Sequence, residues 1–87
     1  MDFEYDPEKS AANKAKHGID FEEAQALWRD ERLLEAPART EDEPRFLAVG
    51  KIGDAYWSAI FTRRSENVRI ISVRRARKTE IEHYESA

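Results

Sequence analysis

The hydrophobic pattern is helical near both ends of the chain and alternating in between. That predicts an α+β fold: two N-terminal helices, an antiparallel sheet of about four strands and a C-terminal helix. Two helix-start signals, Asp6-Pro7 and Asp20-x-x-Glu23, stand close together early in the chain. Alternating segments then run from Arg32 to Arg75, separated by polar or Gly-containing turns. A chain of 87 residues without repeats or long linkers is sized for a single domain, 1–87.

Residues 2–5 alternate polar and aromatic and read as a short strand. Asp6 can cap free N–H groups of the first helix, and Pro7 sits where a missing donor costs nothing. Ala11, Ala12 and Ala15 offer that helix a small-residue face for close packing, and Gly18 after His17 is its stop. Asp20 and Glu23 then have capping-box spacing, with Ile19 and Ala24 as a staple. Phe21, Ala24, Leu27 and Trp28 should face the core, and Asp30-Glu31 marks the exit.

The period changes at Arg32. A strand from Arg32 to Ala36 should stop at Pro37, and 37–44 reads as a loop. Arg45 to Ile52 and Ala55 to Thr62 are strands joined by a turn at Gly53-Asp54, with Trp57, Ala59 and Phe61 on one face. A polar turn over 63–67 leads to Val68–Arg75. There Val68, Ile70 and Ser72 alternate with Arg69, Ile71 and Val73; apolar residues on both sides predict a central strand. The last helix, about 76–86, puts Arg77, Ile81 and Tyr84 on one side.

The formal net charge is −3, which excludes a uniformly basic nucleic-acid binder but not a basic patch. The charge is uneven: seven bases lie between Arg63 and Lys78, opposed only by Glu66. With no cysteine there are no disulfides, thiolate metal sites or thiol nucleophiles. No apolar run approaches a membrane span and the N-terminus is acidic, so a cytoplasmic protein without a membrane anchor is expected. No metal-ligand cluster, phosphate-cradling Gly loop or serine elbow is present, and no cofactor is expected.

The remaining chemistry is that of Arg, Lys, His, Glu and Tyr. This set suffices for metal-independent RNA cleavage, because the 2′-hydroxyl of the RNA is itself the nucleophile. Arg63, Arg74 and Arg75, near strand ends, suit the phosphate, since a guanidinium fork bonds two oxygens. Arg74 and Arg75 alternate, so only one of them points to a given face. His17, at a helix C-terminus, can donate a proton or clamp phosphate, or simply cap the helix. Glu43 and Arg45 can equally form a local ion pair, Glu80 a helix-start charge, Tyr84 a core contact and Lys16 a solvated cation.

Taken together, the segments Phe3-Glu4-Tyr5-Asp6-Pro7, Asn13, Lys16-His17-Gly18 and Phe21-Glu22-Glu23-Ala24 resemble the BrnT family of type II toxin–antitoxin toxins. The resemblance continues through Asp30, Glu43-Pro44-Arg45 and Gly50. It closes on Ile70-Ile71-Ser72-x-Arg74-x-Ala76-x-x-x-Glu80-x-x-x-Tyr84. Pro44 departs from the pattern, because it removes a ladder donor and implies a late or edge strand.

The resemblance implies a RelE-like fold and a ribonuclease that blocks translation. It also implies a BrnA-like antitoxin with a ribbon-helix-helix end, and operator DNA bound only through that antitoxin. Carried over by position, the implicated residues are Lys16, His17, Glu43, Arg45, Arg63, Arg74, Glu80 and Tyr84. Of these, His17, Glu43, Arg63, Arg74 and Glu80 are the catalytic candidates and Lys16, Arg45 and Tyr84 the RNA-binding ones, joined by Arg75 from the basic strand end itself. The rival readings are a catalytically inactive antitoxin-binding module, which would leave RNA uncut, and an autonomous DNA-binding regulator. The latter lacks a basic helix with helix-turn-helix spacing. The charge asymmetry predicts that antitoxin association weakens as salt is raised. Affinity measured against ionic strength checks this, and a flat response would mean that apolar burial holds the pair.

Overall fold

The computed structural model describes residues 1–38 and 43–86. Strand β1 (Phe3–Glu4) leads into helix α1 (Pro7–His17) and a 3₁₀ helix (Glu23–Arg29). Strands β2 (Leu34–Ala38), β3 (Arg45–Ile52), β4 (Ala55–Arg64) and β5 (Asn67–Arg75) follow, then helix α2 (Lys78–Ser86). The strands form one sheet in the order β1-β5-β4-β3-β2. β2 to β5 are the expected antiparallel meander. β1 adds a fifth strand, parallel to β5, so the α+β class holds with five strands rather than about four. Among the described residues no helix is long and apolar enough to cross a membrane.

The start and stop signals of α1 and the start signal of the 3₁₀ helix are used. Asp6 accepts from the Glu8 N–H at 2.9 Å, and Pro7 opens α1. Gly18 ends it with φ +81°, a left-handed conformation open to glycine, and donates its N–H to the Lys14 carbonyl. The Asp20–Glu23 box closes reciprocally, at 2.7 and 2.9 Å. The helix it opens is 3₁₀, not α. Three residues per turn align Ala24, Leu27 and the capping Asp30 along one edge. Ala24 and Leu27 are fully buried, and Asp30 lies against β3.

The packing face of α1 differs from expectation. Ala11, Ala12 and Ala15 are exposed, and the buried positions are Ser10 and Asn13. These polar side chains satisfy backbone groups that would otherwise be stranded. Ser10 Oγ accepts from the Phe21 N–H. The Asn13 amide donates to the carbonyls of Ile19 and Val73 at 2.8 and 2.9 Å and accepts from the Val73 N–H at 3.2 Å. β1 pairs with β5 only at Val68 and Arg69. Beyond that, Asn13 takes the place of a neighbouring strand, so β5 is next to the sheet edge and not central.

The β2 boundaries shift, whereas β3 has its expected bounds. β2 runs through Pro37 rather than stopping before it, as an edge strand tolerates a proline. β3 begins directly after Pro44, inside the sheet, and the Pro44 carbonyl accepts from Thr62 Oγ1. Of the loop expected over 37–44, residues 39–42 lie outside the described residues, while Pro37 and Ala38 belong to β2. The polar turn shrinks to Ser65-Glu66, with Ser65 at φ +57°.

The register of β4 against β5 jumps between Ile60 and Phe61, leaving Ile71 as an extra residue. Val68, Ile70 and Val73 therefore face the core, and Ser72 moves to the opposite face. Phe21, Leu27, Ala48, Ala59 and Phe61 complete this core beneath α1 and the 3₁₀ helix. Trp28 packs edge-on against Phe3 and Phe61. Helix α2 crosses the other face of the sheet.

Replacing Asn13 by Leu should strand the Val73 N–H and two carbonyls, lowering stability by about 2–4 kcal/mol. Asn13→Asp should fail as well, since a carboxylate would face two carbonyl oxygens. Urea unfolding midpoints check both; an unchanged midpoint would mean that Asn13 does not serve as the edge partner of β5.

Candidate functional site

The bulge at Ile71 decides which arginine reaches which face. Past it, Arg74 pairs in register with Ser58, and both point away from the core. Arg75 pairs with Trp57 on the core face, its guanidinium 5.0 Å from the indole ring. Arg74 meets Glu80 in a fork-to-fork pair, Nη1 to Oε1 and Nη2 to Oε2, both at 2.8 Å. Glu80 is in the first turn of α2, and its Oε1 also accepts from the Arg77 N–H and from Ser58 Oγ. One carboxylate thus joins β5, β4 and the start of α2.

The Arg74 guanidinium, helped by Arg77 and Ser58, outweighs burial and holds the Glu80 carboxyl down to about 2. Arg74 is correspondingly raised, chiefly by its hydrogen bonds to Glu80. At neutral pH Glu80 is an ionised anchor that aims Arg74. His83 lies one turn further along α2, and with Glu80 it borders a cleft of about 290 Å³ floored by Leu34, Ala36, Leu47 and Val49. His83 is exposed. Its spacing from Glu80, three residues on a helix, was the available sequence signal for it.

A second latch holds the far half of α2. Tyr84 is buried and donates its hydroxyl to Asp30 Oδ2 at 2.7 Å. Asp30 Oδ2 also accepts from the Lys51 N–H, and Oδ1 from the Arg32 N–H. Burial works against the charged form of Asp30, but these three donors outweigh it and keep the carboxyl below its ordinary range. The Asp30 contact and burial push the Tyr84 hydroxyl up to about 12. Gly50 makes the arrangement fit: a Cβ there would stand 2.9 Å from Leu33 Cδ1 and 3.2 Å from Asp30 Oδ2. Tyr56 donates to Glu85 at the end of the helix.

The remaining candidates lie elsewhere. Arg63 pairs with Val68, five residues along β4 from the partner of Arg74, or about 16 Å. It lies on the core face and is bound to Glu35 at 2.6 Å, over the rings of Phe46 and Phe61. Antiparallel pairing places Arg63 and Arg74 at opposite ends of their hairpin, so one phosphate cannot touch both. Glu43 and Arg45 are exposed at the Arg63 end, beside Thr62. Lys16 and His17 end α1, in the layer on the core side of the sheet, and neither contacts Arg74 or Glu80. Of the nine candidates, Arg74 and Glu80 are joined side chain to side chain, and Arg74 also donates to the backbone carbonyl of its neighbour Arg75. Among the described residues no three His, Cys, Asp or Glu side chains converge as metal donors.

Because Glu80 titrates far lower when folded than when unfolded, its contribution is present above about pH 4.5 and fades as pH falls through about 2. Glu80→Gln should therefore cost about 1–2 kcal/mol at pH 7, allowing for partial solvent screening, and nearly nothing near pH 2. Urea titrations at both pH values measure this; an equal cost at both would assign the loss to packing.

The family model for the ribonuclease toxin BrnT of type II toxin–antitoxin systems matches residues 5–80. No curated protein matches the chain. The match runs from the residue after β1 to the first turn of α2, and so includes Asn13, Asp30, Gly50, Arg74 and Glu80. With those contacts and that match together, the chain belongs to the BrnT family of ribonuclease toxins of type II toxin–antitoxin systems.

Proposed function

We propose that the chain is a RelE-like, metal-independent endoribonuclease acting in the cytoplasm to block translation and growth. In this reading a BrnA-like antitoxin covers the RNA-binding face, and the pair represses its own operon. The observation that carries the catalytic part is the Arg74–Glu80 fork, with His83 one helical turn away on the sheet face opposite the core.

The chemistry needs a cation for the phosphate and groups that move two protons. The RNA 2′-hydroxyl attacks the adjacent phosphorus as the bond to the 5′ oxygen breaks. The products are a 2′,3′-cyclic phosphate and a 5′-hydroxyl. Arg74, held in place by Glu80, offers the guanidinium that meets charge growing on the phosphate. In this reading His83 takes the 2′-hydroxyl proton, and a solvent water protonates the departing 5′ oxygen. Glu80 serves as a positioning group, because its low proton affinity makes it a poor base. Arg45 and Arg63 belong to the far end of the sheet, where they can contact strand outside the cleaved bond.

Induced wild-type protein should arrest bacterial growth and leave 5′-hydroxyl ends on RNA. His83→Ala alters an exposed side chain, so it should fold normally and cut RNA about 10²–10⁴-fold more slowly. Arg74→Gln should relieve arrest too, with circular dichroism reporting whether α2 stays docked. Full cleavage by the His83 variant would remove that residue from the mechanism. A wild type that spares RNA while binding its antitoxin would replace the enzyme reading with the inactive binding module.

A further inference from the structure

The basic stretch that dominates the sequence is partly spent inside the fold: Arg63 pairs with Glu35, Arg69 with Glu4 and Arg74 with Glu80. Three other cations come from the acidic half of the chain, Arg29, Arg32 and Lys51. All three are exposed, and among the described residues none has a carboxylate within 4.0 Å. They come together around a notch of about 730 Å³ between the end of the 3₁₀ helix, the end of β3 and Tyr84 of α2.

Two of these cations are held in place by aromatic rings. The Lys51 ammonium lies 5.2 Å from the centre of the Tyr56 ring, and the Arg32 guanidinium 5.9 Å from that of Tyr84. The two tyrosines pack edge to face at 5.8 Å, linking the cations through one rigid step. The acids of the notch are Asp30 and Glu31. Both Asp30 oxygens are occupied by Tyr84, Lys51 and Arg32 donors, so its charge is met from within. Glu31 is exposed on the rim. Tyr84, on the wall of the notch, follows His83 directly, so helix α2 borders both the notch and the cleft of Glu80 and His83.

We infer that this notch is a second RNA subsite, in which Arg29, Arg32 and Lys51 hold backbone phosphates of the single strand beyond the cleaved bond. It rests on the ribonuclease reading. Unpaired cations arranged around a concavity favour a polyanion, and two guanidinium forks suit phosphate oxygens. The notch deepens the function by giving the substrate a length and a path, from the Arg74 end of the sheet around α2 to the end of β3.

The test is fluorescence anisotropy of a single-stranded RNA fully 2′-O-methylated, which cannot be cut because its nucleophile is blocked. Arg29→Gln, which breaks no contact, should weaken binding severalfold. The triple variant Arg29→Gln, Arg32→Gln, Lys51→Gln should flatten the slope of log affinity against log salt by about 2, at about 0.7 per phosphate contact. Glu31→Gln should tighten binding by removing the rim acid. Cleavage of unmodified RNA by wild type is the control for the underlying reading. If wild type cuts RNA while the triple variant keeps its affinity and salt slope, the notch is not an RNA subsite, whatever the fate of the ribonuclease reading. Loss of binding to a polyglutamate peptide with RNA affinity retained would also overturn it, marking the notch as a protein-docking surface. If wild type neither binds nor cuts RNA, the function and the subsite fall together.

Discussion

Side-chain alternation along a strand resets wherever one residue drops out of the ladder, and in β5 that residue is Ile71. Without the extra residue, Val68, Ile70, Ser72 and Arg74 would share the core face, and an arginine would be driven under α1. With it, Val73 completes the core and Arg74 emerges opposite, level with Ser58. Everything built on that face follows: the fork to Glu80, the start of α2 and the cleft bordered by His83. Asn13 protects the same stretch from the edge side, by bonding the N–H and carbonyl of Val73.

Helix α2 is attached by polar latches more than by apolar burial, since Tyr84 is its one buried residue. Glu80 secures its first turn, Tyr84 its middle through Asp30, and Glu85 its end through Tyr56. Directional bonds of this kind fix orientation closely, which the proposed site built on Arg74 and His83 would require. The geometry on the other side of Asp30 serves the same end. Gly50 leaves room for the carboxylate against β3, and the three-residue period of the 3₁₀ helix delivers it there.

Charge looked like the simplest feature of the chain and changed most on folding. The stretch from Arg63 to Lys78 reads as one basic face, yet antiparallel pairing sends its two ends to opposite ends of a hairpin and to both faces. Three of its arginines are matched by carboxylates from β1, β2 and α2. Meanwhile Arg29, Arg32 and Lys51, scattered through an acidic region, converge on one notch. Net charge and local charge runs therefore described the supply of cations, not their availability.

Much of the fold could be read before any coordinates. The Asp6 cap, the Gly18 stop, the Asp20–Glu23 box and the Gly53 turn depend on interactions spanning a few residues, so the residues themselves suffice. The meander and the Phe21–Leu27 packing face follow from periodicity, which is equally local. The alanine face of α1 misled because small residues permit close packing without requiring it, whereas Ser10 and Asn13 had stranded backbone groups to satisfy. The bulge, the choice between Arg74 and Arg75, the separation of Arg63 from Arg74 and the grouping of His83 with Glu80 were decided only by tertiary structure. Each depends on which residue of one strand or helix lies against which residue of another. That register is set by the packed core as a whole, not by any single segment.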